Sequence, residues 1–242
     1  MQKTVLITGC SSGIGKATAL LLGKSYKRIA IMGYRNPDKL DEVKSQLQAN
    51  GVECLSACGD ISDYQFVSDF VEEVIATWGH IDILINNAGI SYVGLLTDMN
   101  ITDWHQVMDT NATQVFNTCR NVVPYMVHEK CGQIINVSSM WGNVGASCEV
   151  AYSASKGAVN AFTKALGKEL APSGISVNAI AFGVIDTPMN DCFTAEEKAA
   201  LAEDIPAGRL ASAEEAAQFI QTVLSSPSYL TGQVITFDGG YL

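Results

Sequence analysis

Two ionisable side chains, those of Tyr152 and Lys156, are four residues apart in the segment Ala-Tyr-Ser-Ala-Ser-Lys-Gly. Residues at this spacing project from the same face of a helix, so the phenol and the ammonium are expected to lie side by side. A neighbouring cation favours the phenolate and lowers the pKa of a phenol from its ordinary value of about 10. The spacing therefore indicates a group that exchanges a proton with a substrate oxygen.

A glycine-rich segment near the amino end has the composition needed to hold a dinucleotide. Gly9, Gly13 and Gly15 follow the apolar run Val5–Ile7 and precede a segment with helical periodicity. Glycine permits a tight turn and lets the backbone approach a pyrophosphate closely, while the helix amino end offers free N–H groups. The spacing differs from Gly-x-Gly-x-x-Gly, and it is the place of the glycines between a strand and a helix that indicates a dinucleotide site. Together with the tyrosine–lysine pair, this segment indicates hydride transfer coupled to proton transfer.

Strands and helices that would position these groups alternate along the chain. Apolar runs rich in Val and Ile, mostly continuous, predict buried parallel strands at 4–8, 28–34, 53–59, 81–86, 132–138, 175–180 and 234–238. Helices are expected at 15–24, 38–50, 63–78, 102–129, 152–170 and 213–225. The alternation predicts an α/β fold, a single Rossmann-type domain over residues 1–242. Its seven-stranded, doubly wound and mostly parallel sheet would carry helices on both faces and bind ligands at the carboxyl ends of the strands.

Residues 187–209 interrupt this alternation, because they contain helix-forming stretches but no strand. We interpret them as a substrate lid, and a plain surface insertion is the alternative.

Composition excludes several classes of function. The formal net charge of −10 argues against a nucleic-acid binder and weakens the case for a broad basic face that would receive an acidic carrier protein. No stretch approaches the ~20 apolar residues of a membrane helix, and the amino end lacks the apolar run of a signal peptide. The seven cysteines, at 10, 54, 58, 119, 131, 148 and 192, are odd in number and irregular in spacing. Reduced thiols in a cytoplasmic protein are expected, and the three scattered histidines predict no metal site.

The end of the second predicted strand bears on the choice of cofactor. An acidic residue there would hold the ribose hydroxyls of NAD, whereas an arginine would accommodate the additional phosphate of NADP. The residues present are Tyr34 and Arg35, with no acid before Asp38. NADP(H) is therefore favoured over NAD(H), and the alternative is that Arg35 is a solvated loop cation.

Other polar residues follow the predicted strands. Asp60 could accept a hydrogen bond from the adenine amino group or cap the next helix. The segment 86–89, Asn-Asn-Ala-Gly, suits a backbone lying against the cofactor or a structural turn. Ser139 could donate to a substrate carbonyl or act as a cap. Asn111 lies within a predicted helix, where asparagine is disfavoured, which hints at a polar role.

These motifs together resemble the short-chain dehydrogenase/reductase family over nearly the whole chain. The matching elements are Thr-Gly-x3-Gly-x-Gly at the amino end, 86–89, Asn111, Ser139, Tyr-x3-Lys and the closing 231–240 segment. The resemblance implies that Tyr152 is the general acid/base, that Ser139 orients the substrate oxygen and that Asn111 anchors a proton-relay water. It implies that Lys156 binds the nicotinamide ribose and lowers the Tyr152 pKa. The family usually has Pro-Gly after the sixth strand, where this chain has Phe182-Gly183.

The expected cofactor contacts combine the residue patterns with this resemblance, which places Ile185 and Thr187 at the nicotinamide amide. The full set is Gly9, Ser11, Ser12, Gly13, Ile14, Gly15, Tyr34, Arg35, Asp60, Ile61, Asn87, Ala88, Gly89, Tyr152, Lys156, Ile185 and Thr187. The catalytic set is Asn111, Ser139, Tyr152 and Lys156.

The expected substrate is a ketone that NADPH reduces to a secondary alcohol. The resemblance to the family also implies a homotetramer. Within the family, the chain resembles the 3-oxoacyl-carrier-protein reductases, with a narrower match around 137–150 to the elongation factor P 5-aminopentanone reductases. The ketone would thus be carried on acyl carrier protein or on elongation factor P. Glu149 could select an amine-bearing ketone or cap the following helix. The alternative from another class is a non-catalytic regulator that senses dinucleotides.

Overall fold

One parallel sheet of seven strands organises the fold in the computed structural model, which describes residues 2–191 and 193–242. The strand order is β3-β2-β1-β4-β5-β6-β9, and every pairing is parallel. The bounds are β1 Thr4–Thr8, β2 Arg28–Gly33, β3 Glu53–Cys58, β4 Ile83–Asn86, β5 Gly132–Ser139, β6 Ile175–Phe182 and β9 Val234–Phe237. Two further strands, β7 Ile185–Asp186 and β8 Ala211–Ser212, pair only with each other.

Helices cover both faces of the sheet, as the sequence predicts. The helices are α1 Gly13–Leu22, α2 Pro37–Ala49, α3 Tyr64–Trp78, α4 Ile101–Met108, α5 Gln114–Glu129, α6 Trp141–Val144, α7 Val150–Leu170, α8 Ala195–Asp204 and α9 Ala213–Leu224. Buried residues of α1, α2 and α9 form one core cluster with the sheet, and those of α3, α5 and α7 form the second. The predicted α/β, Rossmann-type doubly wound architecture is confirmed.

Alternate residues of the central strands serve the two cores. In β1, Val5 and Ile7 belong to the cluster under α1, whereas Leu6 belongs to the cluster under α3. All three side chains are fully buried. A strand buried on both faces favours apolar side chains at consecutive positions, which explains the continuous apolar runs in the sequence.

The predicted single helix over 102–129 is wrong in one respect. A π-helical turn, Asp109–Thr113, separates α4 from α5. The turn contains Asn111, whose amide bonds to residues outside its own helix. Turns of this kind insert one residue into the helical period, and helical periodicity alone does not reveal them.

Several predicted ends shift by one or two residues. β6 continues to Phe182, two residues past its predicted end, because Ser139 and Phe182 remain in register between β5 and β6. The segment 187–209 contains a 3-10 turn, Pro188–Asn190, and α8, with no strand among its described residues. Cys192, one of the cysteines predicted to be reduced, lies outside the described residues, and the other six carry free thiols.

The strand order reverses between β1 and β4, since β1 is followed along the chain by its neighbour β2 and the chain then returns to β4 on the other side. In doubly wound sheets this switch point opens a crevice at the carboxyl ends of the strands. The longest helices of the described residues are too short or too polar to cross a membrane.

Candidate active site

One cleft runs along the carboxyl ends of the strands, and nearly all of the predicted site residues line it. The lining includes Gly9, Ser11, Ser12, Gly13, Ile14, Tyr34, Arg35, Asp60, Ile61, Asn87, Ala88, Gly89, Ser139, Tyr152, Lys156, Ile185 and Thr187. Two predicted residues, Gly15 and Asn111, are not part of the lining.

The glycine-rich turn after β1 requires glycine for two physical reasons. Gly9 and Gly13 have positive φ angles of 72° and 54°, a region that side chains with a Cβ rarely adopt. At Gly15 a Cβ would collide with the Gly9 carbonyl oxygen and with Asn87 Nδ2. Gly15 is therefore needed for the close packing of α1 against the turn, and it contributes no surface to the cleft.

The amino end of α1 points its backbone donors at the cleft. Ser12 is the N-cap residue, and its side chain forms no capping hydrogen bond. The first N–H groups of the helix are thus free of side-chain acceptors, and they carry the partial positive charge of a helix amino end. The arrangement suits the pyrophosphate of a dinucleotide.

The far end of the cleft carries the residues expected at the adenosine. The Arg35 guanidinium lies 5.5 Å from the centre of the Tyr34 ring. Asp60 Oδ1 accepts hydrogen bonds from Ser62 N at 2.9 Å and Ser62 Oγ at 2.7 Å. The N-cap of α3 is Asp63, so the alternative role of Asp60 as the helix cap is wrong.

The turn after β4 is both hydrogen-bonded to the end of β1 and in contact with the cleft. Asn87 Nδ2 donates to the carbonyl oxygens of Thr8 and Gly9 at 3.0 and 3.1 Å. Thr8 Oγ1 in turn accepts from the backbone of Asn87 and Ala88. These bonds join the two strands at the switch point and hold the backbone of the turn against the cleft. Asn86 faces away from it and bonds to Asn136 at 2.8 Å.

Ser139, Tyr152 and Lys156 lie together at the near end of the cleft. Ser139 ends β5, and its Oγ accepts a hydrogen bond from the Trp141 N–H at 3.2 Å. Its hydroxyl also lies close enough to Tyr152 to lower the pKa of the phenol. Lys156 is 4% exposed and donates from Nζ to the Val137 carbonyl at 2.9 Å. The helical spacing places Lys156 Nζ 5.7 Å from the centre of the Tyr152 ring, as expected for one face of α7.

The ionisation of this cluster differs from the expectation of a lowered phenol pKa. Burial raises the pKa of Tyr152 to about 12, the negative charge of Glu149 adds to the rise, and the hydrogen bond with Ser139 opposes it. Burial also lowers the pKa of Lys156 to about 8. The ammonium bonds to a carbonyl and not to the phenol, so desolvation outweighs charge attraction. At neutral pH the cluster therefore presents a neutral phenol that can donate its proton.

Asn111 is buried behind this cluster. Its Oδ1 accepts from Ile90 N at 2.8 Å, and its Nδ2 donates to Ile90 O and to Ser155 Oγ, both at 2.9 Å. The side chain therefore ties the cleft loop at Ile90 to α7, between Tyr152 and Lys156. Its role in anchoring a relay water stays a prediction.

Glu149 lines the cleft at the start of α7. It occupies the N-cap position, but its side chain makes no capping hydrogen bond. The alternative that it caps the helix is therefore met in position, at the positive end of the helix dipole, but not by a side-chain hydrogen bond. Burial raises the pKa of this carboxyl. Among residues 2–191 and 193–242 no cation forms an ion pair with it, so a half-buried carboxylate faces the cleft without a counter-ion.

The departure at Phe182 has a structural explanation. Phe182 is 3% exposed, and its ring packs edge to face on Phe237, with centroids 5.8 Å apart. Its carbonyl accepts from Met140 N at 2.9 Å, and Gly183 N donates to Phe237 O at 2.9 Å. Strand pairing thus continues to the residue where the family usually has proline, and the backbone is held by hydrogen bonds in place of a fixed φ.

Sequence reasoning missed several residues on the substrate side of the cleft. Thr110, Trp141, Phe193 and Leu201 line it together with Met189. They come from the π-turn, a short helix and the segment 187–209, none of which carries a strand-end signal. The two cations of the segment 187–209 are engaged in ion pairs. Lys198 pairs with Asp186 and Asp191 at 3.4 and 3.7 Å, and Arg209 pairs with Glu215 at 2.7 Å.

The residues present fit a dinucleotide. The glycines of the turn bring its backbone to the cleft surface at Gly9 and Gly13, and the adjacent amino end of α1 offers donors to phosphates. The same cleft continues without a break from Arg35 to Tyr152. The sheet, the switch-point cleft and the Ser–Tyr–Lys cluster define the site of an NAD(P)(H)-dependent oxidoreductase.

Comparison with known proteins identifies the family. A model of the short chain dehydrogenase family matches residues 3–198, and the chain belongs to this family. An uncharacterized oxidoreductase of Bacillus subtilis (strain 168), YmfI, is 39% identical over 243 residues, spanning 100% of this chain and 99% of the relative. These matches confirm an NAD(P)(H)-dependent oxidoreductase, in agreement with the sequence prediction.

Relatives with a named substrate are similar over the same length. The 3-oxoacyl-[acyl-carrier-protein] reductase FabG of Thermotoga maritima is 40% identical over 239 residues, spanning 98% of this chain and 97% of the relative. FabG of Staphylococcus aureus (strain Mu50) is 35% identical over 241 residues, spanning 99% and 98%.

Proposed function

We propose that the chain reduces a ketone to a secondary alcohol with NADPH. The observation that carries the proposal is the juxtaposition of Ser139, Tyr152 and Lys156 at one end of a dinucleotide cleft. A carbonyl placed there would meet a hydroxyl donor and a neutral phenol, and NADPH bound in the cleft would supply the hydride.

Each residue of the cluster has a distinct role in this proposal. Ser139 holds the carbonyl oxygen beside the phenol, because its hydroxyl lines the same end of the cleft and is close enough to Tyr152 to lower the pKa of the phenol. Tyr152 gives its proton to that oxygen as negative charge develops on it. Lys156 stabilises the resulting phenolate by its positive charge, which it keeps below a pKa of about 8. Asn111 fixes the loop at Ile90 against α7.

The preference for NADPH is supported by the charge at the far end of the cleft. Arg35 lines the cleft after β2, and the carboxylate that would hold the ribose hydroxyls of NAD is absent from the residues of that strand end. An arginine can form charge-assisted bonds with the ribose phosphate of NADP, and such bonds are stronger than neutral ones.

The first substrate candidate is a 3-oxoacyl group on acyl carrier protein. Its support is the full-length similarity to reductases that are named for this substrate. The formal net charge of −10 argues against this candidate, because an acidic carrier would meet an acidic enzyme.

The homotetramer and the cytoplasmic location are also proposals. Sedimentation analysis tests the homotetramer.

The second candidate is a ketone that carries an amine, as in the 5-aminopentanone modification of elongation factor P. The specific observation is the uncompensated Glu149 carboxylate in the cleft. A primary ammonium would supply the missing counter-ion, whereas an anionic group would be repelled. The pairing of both lid cations leaves no free positive charge on the described part of that segment.

A parallel assay tests these alternatives. NADPH oxidation is measured with acetoacetyl carrier protein, with elongation factor P carrying the 5-aminopentanone and with a small neutral diketone. Turnover of any ketone supports the reductase, and the ratio of kcat/KM values chooses the substrate. Failure to oxidise NADPH with all three would contradict the proposed function.

A further inference from the structure

The short helix α6 lies along the chain between Ser139 and Tyr152. Ser139 comes from the end of β5 and Tyr152 from the first turn of α7. The first residue of α6, Trp141, donates its N–H to Ser139 Oγ at 3.2 Å. The position of α6 therefore determines where the Ser139 hydroxyl is held.

Gly142 is the contact between α6 and α7. A Cβ on this residue would lie 2.7 Å from the carbonyl carbon of Lys156, 2.9 Å from Lys156 Cβ and 2.9 Å from Asn160 Nδ2. The nearest of these atoms belongs to the backbone, so no rotamer change relieves the collision. Gly142 does not have a positive φ, which means that glycine is required here for space and not for backbone conformation.

The two helices are also joined beside this contact. Asn160 Nδ2 donates to Asn143 Oδ1 at 2.9 Å, and Asn143 is the next residue of α6. The absence of a side chain at Gly142 lets α6 approach α7 closely, and this hydrogen bond joins the two helices one turn beyond Lys156.

Of the two helices, α7 is the more firmly held. Lys156 Nζ donates to the Val137 carbonyl at 2.9 Å, and Ser138 Oγ donates to the Lys156 carbonyl at 3.3 Å. Both bonds anchor α7 to β5. A side chain at position 142 would therefore displace α6, and the Trp141 N–H would move away from Ser139.

We propose that Gly142 is a positioning residue for Ser139: its close contact with Lys156 sets α6 so that the Trp141 N–H aims the Ser139 hydroxyl at Tyr152. This inference rests on the proposed ketone reduction, and it adds a residue that makes no contact with the reacting atoms.

Gly142→Ala tests the inference, and Gly157→Ala is a matched control. Gly157 faces α6 from α7, but its Cβ would meet only Gly142 O at 3.6 Å, an ordinary contact. Gly142→Ala should lower kcat/KM for the ketone by roughly tenfold or more, since small misplacements of a catalytic group have effects of this size. Gly157→Ala should stay within about twofold of the wild type, and the NADPH dissociation constant should be unchanged in both.

A double-mutant cycle separates positioning from general disturbance. If Gly142 acts through Ser139, Gly142→Ala in a Ser139→Ala background should reduce kcat/KM by less than about twofold. An equal loss in both backgrounds, or full activity of Gly142→Ala, would overturn the proposal. Asn160→Ala removes the bond to Asn143 without a collision, and a smaller loss with the same dependence on Ser139 is expected. It replaces Gly142→Ala if that variant does not fold.

The crystal structure of the variant gives a readout that does not depend on activity. It should show α6 displaced from α7 with the Lys156–Val137 hydrogen bond intact, and an unmoved α6 would contradict the inference. A wild-type protein that oxidises no NADPH with any ketone would instead contradict the proposed function, and the displacement of α6 could still be observed.

Discussion

Lys156 Nζ lies 5.7 Å from the centre of the Tyr152 ring while its hydrogen bond goes to the Val137 carbonyl, 2.9 Å away. The cation is thus near the phenol without being bonded to it. Because both groups are buried, the pKa of Tyr152 rises to about 12 and that of Lys156 falls to about 8. The proton needed for ketone reduction is therefore held on Tyr152 at neutral pH.

The raised pKa of Tyr152 and the lowered pKa of Lys156 predict how the reduction rate depends on pH. Ketone reduction uses the protonated phenol and the charged lysine, so kcat/KM should be level near neutrality and fall as pH rises through about 8, where Lys156 loses its proton. Lys156→Arg keeps its charge, and its residual reduction should lack the decline. A wild-type reduction profile that stays level to about pH 10 would contradict this assignment.

Arg35→Ala should remove the preference for NADPH. The loss of charge-assisted bonds to the ribose phosphate should lower kcat/KM with NADPH by roughly tenfold or more and leave NADH use nearly unchanged. Arg120→Ala, an exposed arginine of α5 outside the cleft, is the matched control. The measurement is kcat/KM with both cofactors. Equal use of NADPH and NADH by the wild type would sink the proposed preference.

Glu149→Gln should act on the charge of the substrate. If Glu149 binds the ammonium group of the substrate, kcat/KM for an aminoketone should fall by roughly tenfold, equivalent to about 1.4 kcal/mol. The value for a neutral ketone of equal length should stay constant. Glu169→Gln, at the exposed far end of α7, is the control. Equal losses on both substrates, or none on either, would remove Glu149 from substrate selection.

Phe182→Ala should destabilise the fold. The ring is 3% exposed and contacts Phe237, so its loss leaves a cavity that costs about 3–5 kcal/mol in the free energy of unfolding. Phe116→Ala removes a ring that is 50% exposed and should change stability by about 0.5 kcal/mol or less. Urea unfolding measures both variants. A loss at Phe182 no larger than at Phe116 would show that the ring is not part of the core.

The sequence predicted the strands well because each is buried on both faces. The runs around Leu6 and Ile31 are short, rich in β-branched residues and fully buried, and the strand ends then place Asp60 and Ser139 at one edge of the sheet. Helical periodicity could not reveal the π-turn at Asn111, because the added residue changes the phase without changing composition.

Two properties of the site depend on three-dimensional surroundings. The spacing of Tyr152 and Lys156 predicted their proximity but gave the wrong direction for the phenol pKa, since desolvation depends on the whole fold. Gly142 carries no motif of its own, and its importance follows only from the position of the Lys156 backbone. Similarly, the absence of a capping bond at Glu149 could not be read from its place before a helix.

The most direct test of the central claim is the turnover of Tyr152→Phe. The substitution keeps the ring and removes the proton donor, so kcat for ketone reduction should fall by about 10²–10⁴-fold while the NADPH dissociation constant stays near the wild-type value. Tyr229→Phe, at a tyrosine that is 98% exposed, is the matched control and should keep full activity. A Tyr152→Phe enzyme that retains more than about a tenth of wild-type kcat would contradict the account.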